Sequence, residues 1–204
     1  MADITAGLAE QFVRALRHFI LRDSIFLAGG GSVVLSFLHT FGPMPSPTDH
    51  FTVFLLLAGI SYVVGYALQD AICLLPWFTT APAKMNRRLA EKRFSRLYRL
   101  YTGDLWQEIP NDFDFESAEE QLNQAQTIWL DRITVLQQVS TTFIPCCFLS
   151  SCLLFYDAYK GSDGFSAPLA TAAFLLGVIL VPLGRLKIAQ QAQYLFRHGG
   201  NRVS

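Results

Sequence analysis

Residues 51–75 read FTVFLLLAGISYVVGYALQDAICLL, twenty-five positions with a single formal charge, Asp70. About 20 apolar residues cross the hydrocarbon core of a bilayer as a helix. This stretch is longer than that, which predicts either a tilted span or one whose inner end emerges as a continuous helix. Three more apolar stretches share its character, at roughly 25–41, 135–156 and 167–184. Composition agrees, with 51% hydrophobic residues and only 16% charged, against about 25% charged in soluble domains. The fold class read from this is all-α, an integral membrane four-helix bundle with helical cytoplasmic extensions between spans 2 and 3.

Charge sets the orientation. Fifteen of the sixteen Lys and Arg residues fall on one side of the four stretches. Arg14, Arg17 and Arg22 precede the first, eight cations lie between the second and third, and four follow the last. The other two connections hold only Lys160. Cations are retained on the cytoplasmic face during insertion. Both termini and the middle segment are therefore expected in the cytoplasm, and the chain in the inner (cytoplasmic) membrane. The start does not read as a cleaved signal, because charges precede any apolar run. The expected order is a cytoplasmic amphipathic helix at 1–24, spans 1 and 2 within 25–78, a cytoplasmic helical segment at 79–132, spans 3 and 4 within 133–184, and a cytoplasmic C-terminal helix at 185–204.

Small residues mark where spans meet. Ser61-x-x-x-Gly65 and Ala173-x-x-x-Gly177 offer close-approach faces in a bilayer. Gly29-Gly30-Gly31 in the first span either does the same or breaks the helix. Such faces on three spans are more than one monomer needs, so a cyclic homo-oligomer is expected. Span 3 is the most polar, and its Pro145 frees a carbonyl that Thr141 or Thr142 is positioned to satisfy.

The middle segment divides by sign. Residues 84–99 carry seven cations and one acid, whereas 104–131 carry eight acids and no cation. The basic part reads as a helix that Gly103 caps. Its Arg87, Arg88, Arg93 and Arg96 are candidate contacts for anionic lipid or for an acidic partner. Nucleic acid is not expected, because the run sits next to a membrane span. Phe113 and Phe115, between acids, are either exposed anchors for a partner or docked within the chain's own hairpin. Ser117-x-x-Glu120 has capping-box spacing, and no breaker follows before Pro145. One long helix is therefore expected from 117 into span 3.

Chemistry is sparse. There is no His-Glu-x-x-His, no phosphate-binding glycine loop and no Cys-x-x-Cys. Cys73, Cys146, Cys147 and Cys152 sit in apolar surroundings and read as small packing residues. No catalytic residue, metal or cofactor is expected. Asp70 is the one acid in its span. It either pairs with an Arg from 14–22 or 185–187, or joins Gln69, Gln137 and Gln138 in a polar ring at an inner mouth. The expected function is a non-enzymatic, oligomeric sensor or docking platform for a cytoplasmic partner. Its rivals are an oligomeric channel or permeabilising effector, of the kind used in antiviral defence, and a lipid-modifying enzyme.

Overall fold

The computed structural model describes residues 2–42, 50–74, 92–103, 107, 109–110, 113–161 and 164–199, with side chains from Ile20 onward except at 50–52, 73, 92–95 and 97. All regular structure among the described residues is helical: α1 (Ala2–Phe41), α2 (His50–Cys73), α3 (Lys92–Thr102), α4 (Phe115–Glu120), α5 (Gln124–Tyr159) and α6 (Ser166–Gly199). Four of them hold stretches long and apolar enough to cross a membrane: Ile20–Phe41, Val53–Ile72, Gln124–Tyr159 and Ser166–Gly199. This is the mark of a multi-pass membrane protein. At about 1.5 Å per residue, the 40 residues of α1 and the 36 of α5 reach well beyond a core about 30 Å thick.

Local sequence explains three of the helix ends. Gly103 adopts φ +77° and donates its N–H to the Arg99 carbonyl at 2.9 Å, which closes α3 in the left-handed conformation that glycine tolerates. The glycine triplet does not break α1, which is continuous through it. The single helix expected from 117 into span 3 is corrected. Asp114, not Ser117, caps α4, its carboxylate accepting the Glu116 and Ser117 N–H groups. The Ser117 hydroxyl also donates to Asp114 at 2.6 Å, and that bond leads the causes that hold the Asp114 carboxyl below its ordinary range. The chain then breaks at 121–123, because Asn123 starts a new helix. Its side chain accepts the Gln126 N–H and the Gln126 side chain accepts the Asn123 N–H, both at 2.9 Å. This is a reciprocal capping box made of amides.

The chain forms two compact units. The first comprises residues 1–70 and 141–179. It shows large apolar side chains outward, with Leu35, Phe54 and Val63 each more than 60% exposed. Inside it holds Ser36, Ser61, Thr142, Ser150, Ser151, Asp157 and Ser166, all buried. That order is the reverse of a protein surface in water and suits a surface facing lipid. The second unit comprises residues 71–140 and 180–204. It buries Tyr98, Ile109, Leu130, Ile133, Leu186 and Leu195 and leaves its acids at Asp114, Glu116, Glu119 and Glu120 exposed, the ordinary arrangement in water. Helices α5 and α6 each contribute to both units.

Candidate functional site

Within the first unit, α5 touches the three other long helices, which accounts for its polarity. Half of its apolar stretch is buried, against 11% for α2. Toward α1, Ser150 donates to the Ser32 hydroxyl at 3.3 Å, and the Thr40 hydroxyl, bonded to the Ser36 carbonyl at 2.8 Å, shares its proton with the Leu153 carbonyl at 3.2 Å. Toward α2, the Thr142 hydroxyl donates to the Gln69 side-chain oxygen at 3.2 Å. Thr142 thus spends its one proton on Gln69 and has none for the carbonyl that Pro145 frees. Toward α6, the Ser151 hydroxyl donates to the Ala170 carbonyl at 2.9 Å.

The glycines serve two neighbours at once. A side chain at Gly29 would meet Thr142 Cγ2 at 3.0 Å and Cys146 Sγ at 3.2 Å, so this position faces α5. A side chain at Gly30 would overlap the Ser61 carbonyl of α2, and one at Gly65 would overlap the Phe26 carbonyl of α1. Phe26 sets its ring edge-on to Tyr62 and Tyr66 at 5.7 and 5.6 Å. Ser61 and Gly65 therefore lie together at the α1–α2 crossing. On α6, Gly177 is buried against Cys147 and Phe148 of α5, while Ala173 is half-buried.

A cluster of three polar side chains lies where α1 and α5 end and α6 begins. Ser166 donates to Asp157 Oδ2 at 2.6 Å. His39 Nε2 lies 3.4 Å from the same oxygen and 3.3 Å from Ser166 Oγ. The Asp157 side chain is 4% exposed. The residue types match a serine nucleophile relay, but the geometry does not. A relay places histidine between serine and acid, each on its own ring nitrogen. Here one ring nitrogen faces both groups, the serine proton points to the carboxylate, and Ser166 is 1% exposed. The arrangement ties three helices together. Neither Asp157 nor Ser166 is among the residues the sequence pointed to. An acid lying just past a span, in a connection with a single cation, is the signal that would have found Asp157.

The expected inner polar ring is distributed between the units. Gln69 and Asp70 belong to the first unit, Gln137 and Gln138 to the second. Gln69 is engaged with Thr142, and Gln137 and Gln138 are half-buried on α5. Asp70 is exposed and makes no ion pair among the described residues. Arg22, a candidate partner for it, lies 3.5 Å from Asp23 instead. Asp23 in turn accepts the Tyr62 hydroxyl at 3.2 Å.

The second unit shows how the middle segment is held. Gln193, 1% exposed, accepts the Gln107 N–H at 3.1 Å and donates to the Gln107 carbonyl at 2.5 Å. Phe113 packs edge-on against Phe115 at 4.8 Å and Phe196 at 5.2 Å. Both Phe113 and Phe115 are half-buried, not exposed as partner anchors would be. Gly199 lies so close to Ala118 that an added side chain would overlap its carbonyl. The C-terminal helix is thus the packing partner of the middle segment. Of the basic candidates, Arg96 is exposed, Arg93 lies on α3, and Arg87 and Arg88 fall outside the described residues. The outward positions of α5 in this unit include Ile128 and Trp129, 42% and 45% exposed, with Arg132 beside them.

Among the described residues, no group of three or more His, Cys, Asp or Glu is placed to share a metal ion. No protein-family model, curated protein or solved structure matches the chain.

Proposed function

We propose that the chain is a non-enzymatic, oligomeric protein of the inner membrane. Its four spans form a bundle, and its termini and second unit lie in the cytoplasm, where that unit serves as sensor or docking platform for a soluble protein. The cation asymmetry supports the orientation. The carrying observation is the outward strip of Ile128, Trp129 and Arg132 on a unit that has already filled its own core. Exposed tryptophan and arginine beside an aliphatic side chain are the residue types that anchor interfaces. Phe113 and Phe115 are turned to the unit's own packing instead, with Phe113 against Phe115 and Phe196. Purification of the full chain from its native membrane, with measured mass, should yield an oligomer and a co-purifying soluble protein. Changing Ile128→Ser and Trp129→Ala together should release that protein and leave the oligomer intact. Retention of the partner by this variant would defeat the assignment of the surface.

Asp70 supports a second reading, a channel. It is exposed on a span with no ion pair among the described residues. A cyclic assembly that turned this face inward would carry a ring of carboxylates, which attracts cations. Liposomes containing the purified chain separate the two readings. Cation flux that Asp70→Asn selectively alters would establish the channel, whereas absence of flux in both forms favours the platform.

A further inference from the structure

We propose that the outward face of α3 is a binding surface for the anionic headgroups of a lipid leaflet. The helix reads KRFSRLYRLYT, four cations and no acid in 11 residues. At about 100° per residue, positions 92, 93, 96, 99 and 100 share one side, and Tyr98 lies on the other. Burial follows that division. Tyr98 is 2% exposed, whereas Arg96 and Arg99 are exposed and Leu100 is 87% exposed.

Two observations choose the partner. The first is charge. Asp114, Glu116, Glu119 and Glu120 lie exposed in the same unit, yet none forms an ion pair with Arg96 or Arg99. Two guanidinium groups are thus left without a carboxylate among the described residues and stand open to an added anion. The second is Leu100. A face that met only a phosphate backbone in water would gain nothing from a bare leucine among its arginines. A leaflet offers both halves of the match, phosphates for the cations and the acyl boundary for the apolar side chain. Lys187, whose Nζ lies 4.9 Å from the Tyr101 ring centre, brings one more cation beside the helix from α6. The inference does not depend on the soluble partner, because it uses different residues, on α3 rather than on α5.

The test uses the full chain in detergent micelles, titrated with phosphatidylglycerol or phosphatidylcholine and read as lipid bound per chain. The wild type should bind phosphatidylglycerol preferentially, and added salt should weaken that preference. Arg96→Gln with Arg99→Gln should lower the apparent affinity about 25-fold. That is about fivefold per cation, the equivalent of about 1 kcal/mol each. Leu100→Ser should weaken binding while leaving its salt dependence unchanged. All three side chains are exposed, so helicity by circular dichroism should match the wild type. If the double variant loses helicity, Arg96→Gln and Arg99→Gln tested singly make the same comparison. Equal binding of the two lipids by the wild type would overturn the proposal, as would unchanged phosphatidylglycerol affinity in the arginine variants. Displacement of the lipid by a single-stranded oligonucleotide that binds more tightly would overturn it too and assign the face to nucleic acid.

Discussion

Gly30→Leu is expected to unfasten α1 from α2 and to cause a large loss of stability. Even a methyl group at this position would overlap the Ser61 carbonyl and lie 2.6 Å from the Gly65 nitrogen. Both obstacles are backbone, so no side-chain rotation relieves them, and the helices must separate. Helix association in a bilayer draws on close van der Waals packing rather than on burial from water. Separation therefore removes most of what holds this pair. Overpacking a tight contact costs about 1–3 kcal/mol, and a leucine against backbone should reach the top of that range. For a chain of this size that corresponds to a fall of roughly 6–12 °C in melting temperature, measured on the purified protein in detergent. Gly59→Ala is the control, since a side chain there meets nothing within 4 Å, and it should not lower the melting temperature and should raise it slightly if anything. A Gly30→Leu protein as stable as the wild type would show that α1 and α2 do not cross at this point.

The spans were legible because a bilayer imposes length and apolarity on any helix that crosses it, and residues 51–75 meet both conditions without help from context. The small residues were legible as a class, but their partners were not. Ser61-x-x-x-Gly65 is visible in the sequence, whereas the pairing of Gly65 with Phe26 and Gly30 depends on how two helices meet. Phe113 and Phe115 show the same limit, since two aromatics between acids have the same spacing whether they face a partner or, as here, Phe196 of the same chain. The break at 121–123 was missed for a different reason. Ser117-x-x-Glu120 is the familiar form of the capping box, but Asn123 and Gln126 offer the same donors and acceptors through amides. Asp157 and Ser166 were passed over because they flank a connection that reads as external. Their burial follows from the way α1, α5 and α6 converge, which no local spacing encodes.

That convergence carries the other large expected effect. Removing two of the groups that contact Asp157, by His39→Ala together with Ser166→Ala, should cost more than either change alone, and no less than the worth of one hydrogen bond to a charged acceptor, about 1.5–3 kcal/mol. The side chain is 4% exposed, so water has little access to replace them. Ser166→Ala alone should account for about 1.5–3 kcal/mol of this, as expected for a hydrogen bond to a charged acceptor. His39→Ala should cost less, because its side chain is 38% exposed and its contacts are longer, at 3.3 and 3.4 Å. The deciding variant adds Asp157→Asn to the double change. An amide of the same shape carries no charge to desolvate, so the triple variant should regain much of the lost stability. If the loss came from packing, asparagine would restore nothing, because the cavities left at His39 and Ser166 would remain. Melting temperatures of the three proteins in one detergent separate these outcomes. A triple variant no more stable than the double would show that the cluster joins the helices by shape rather than by charge.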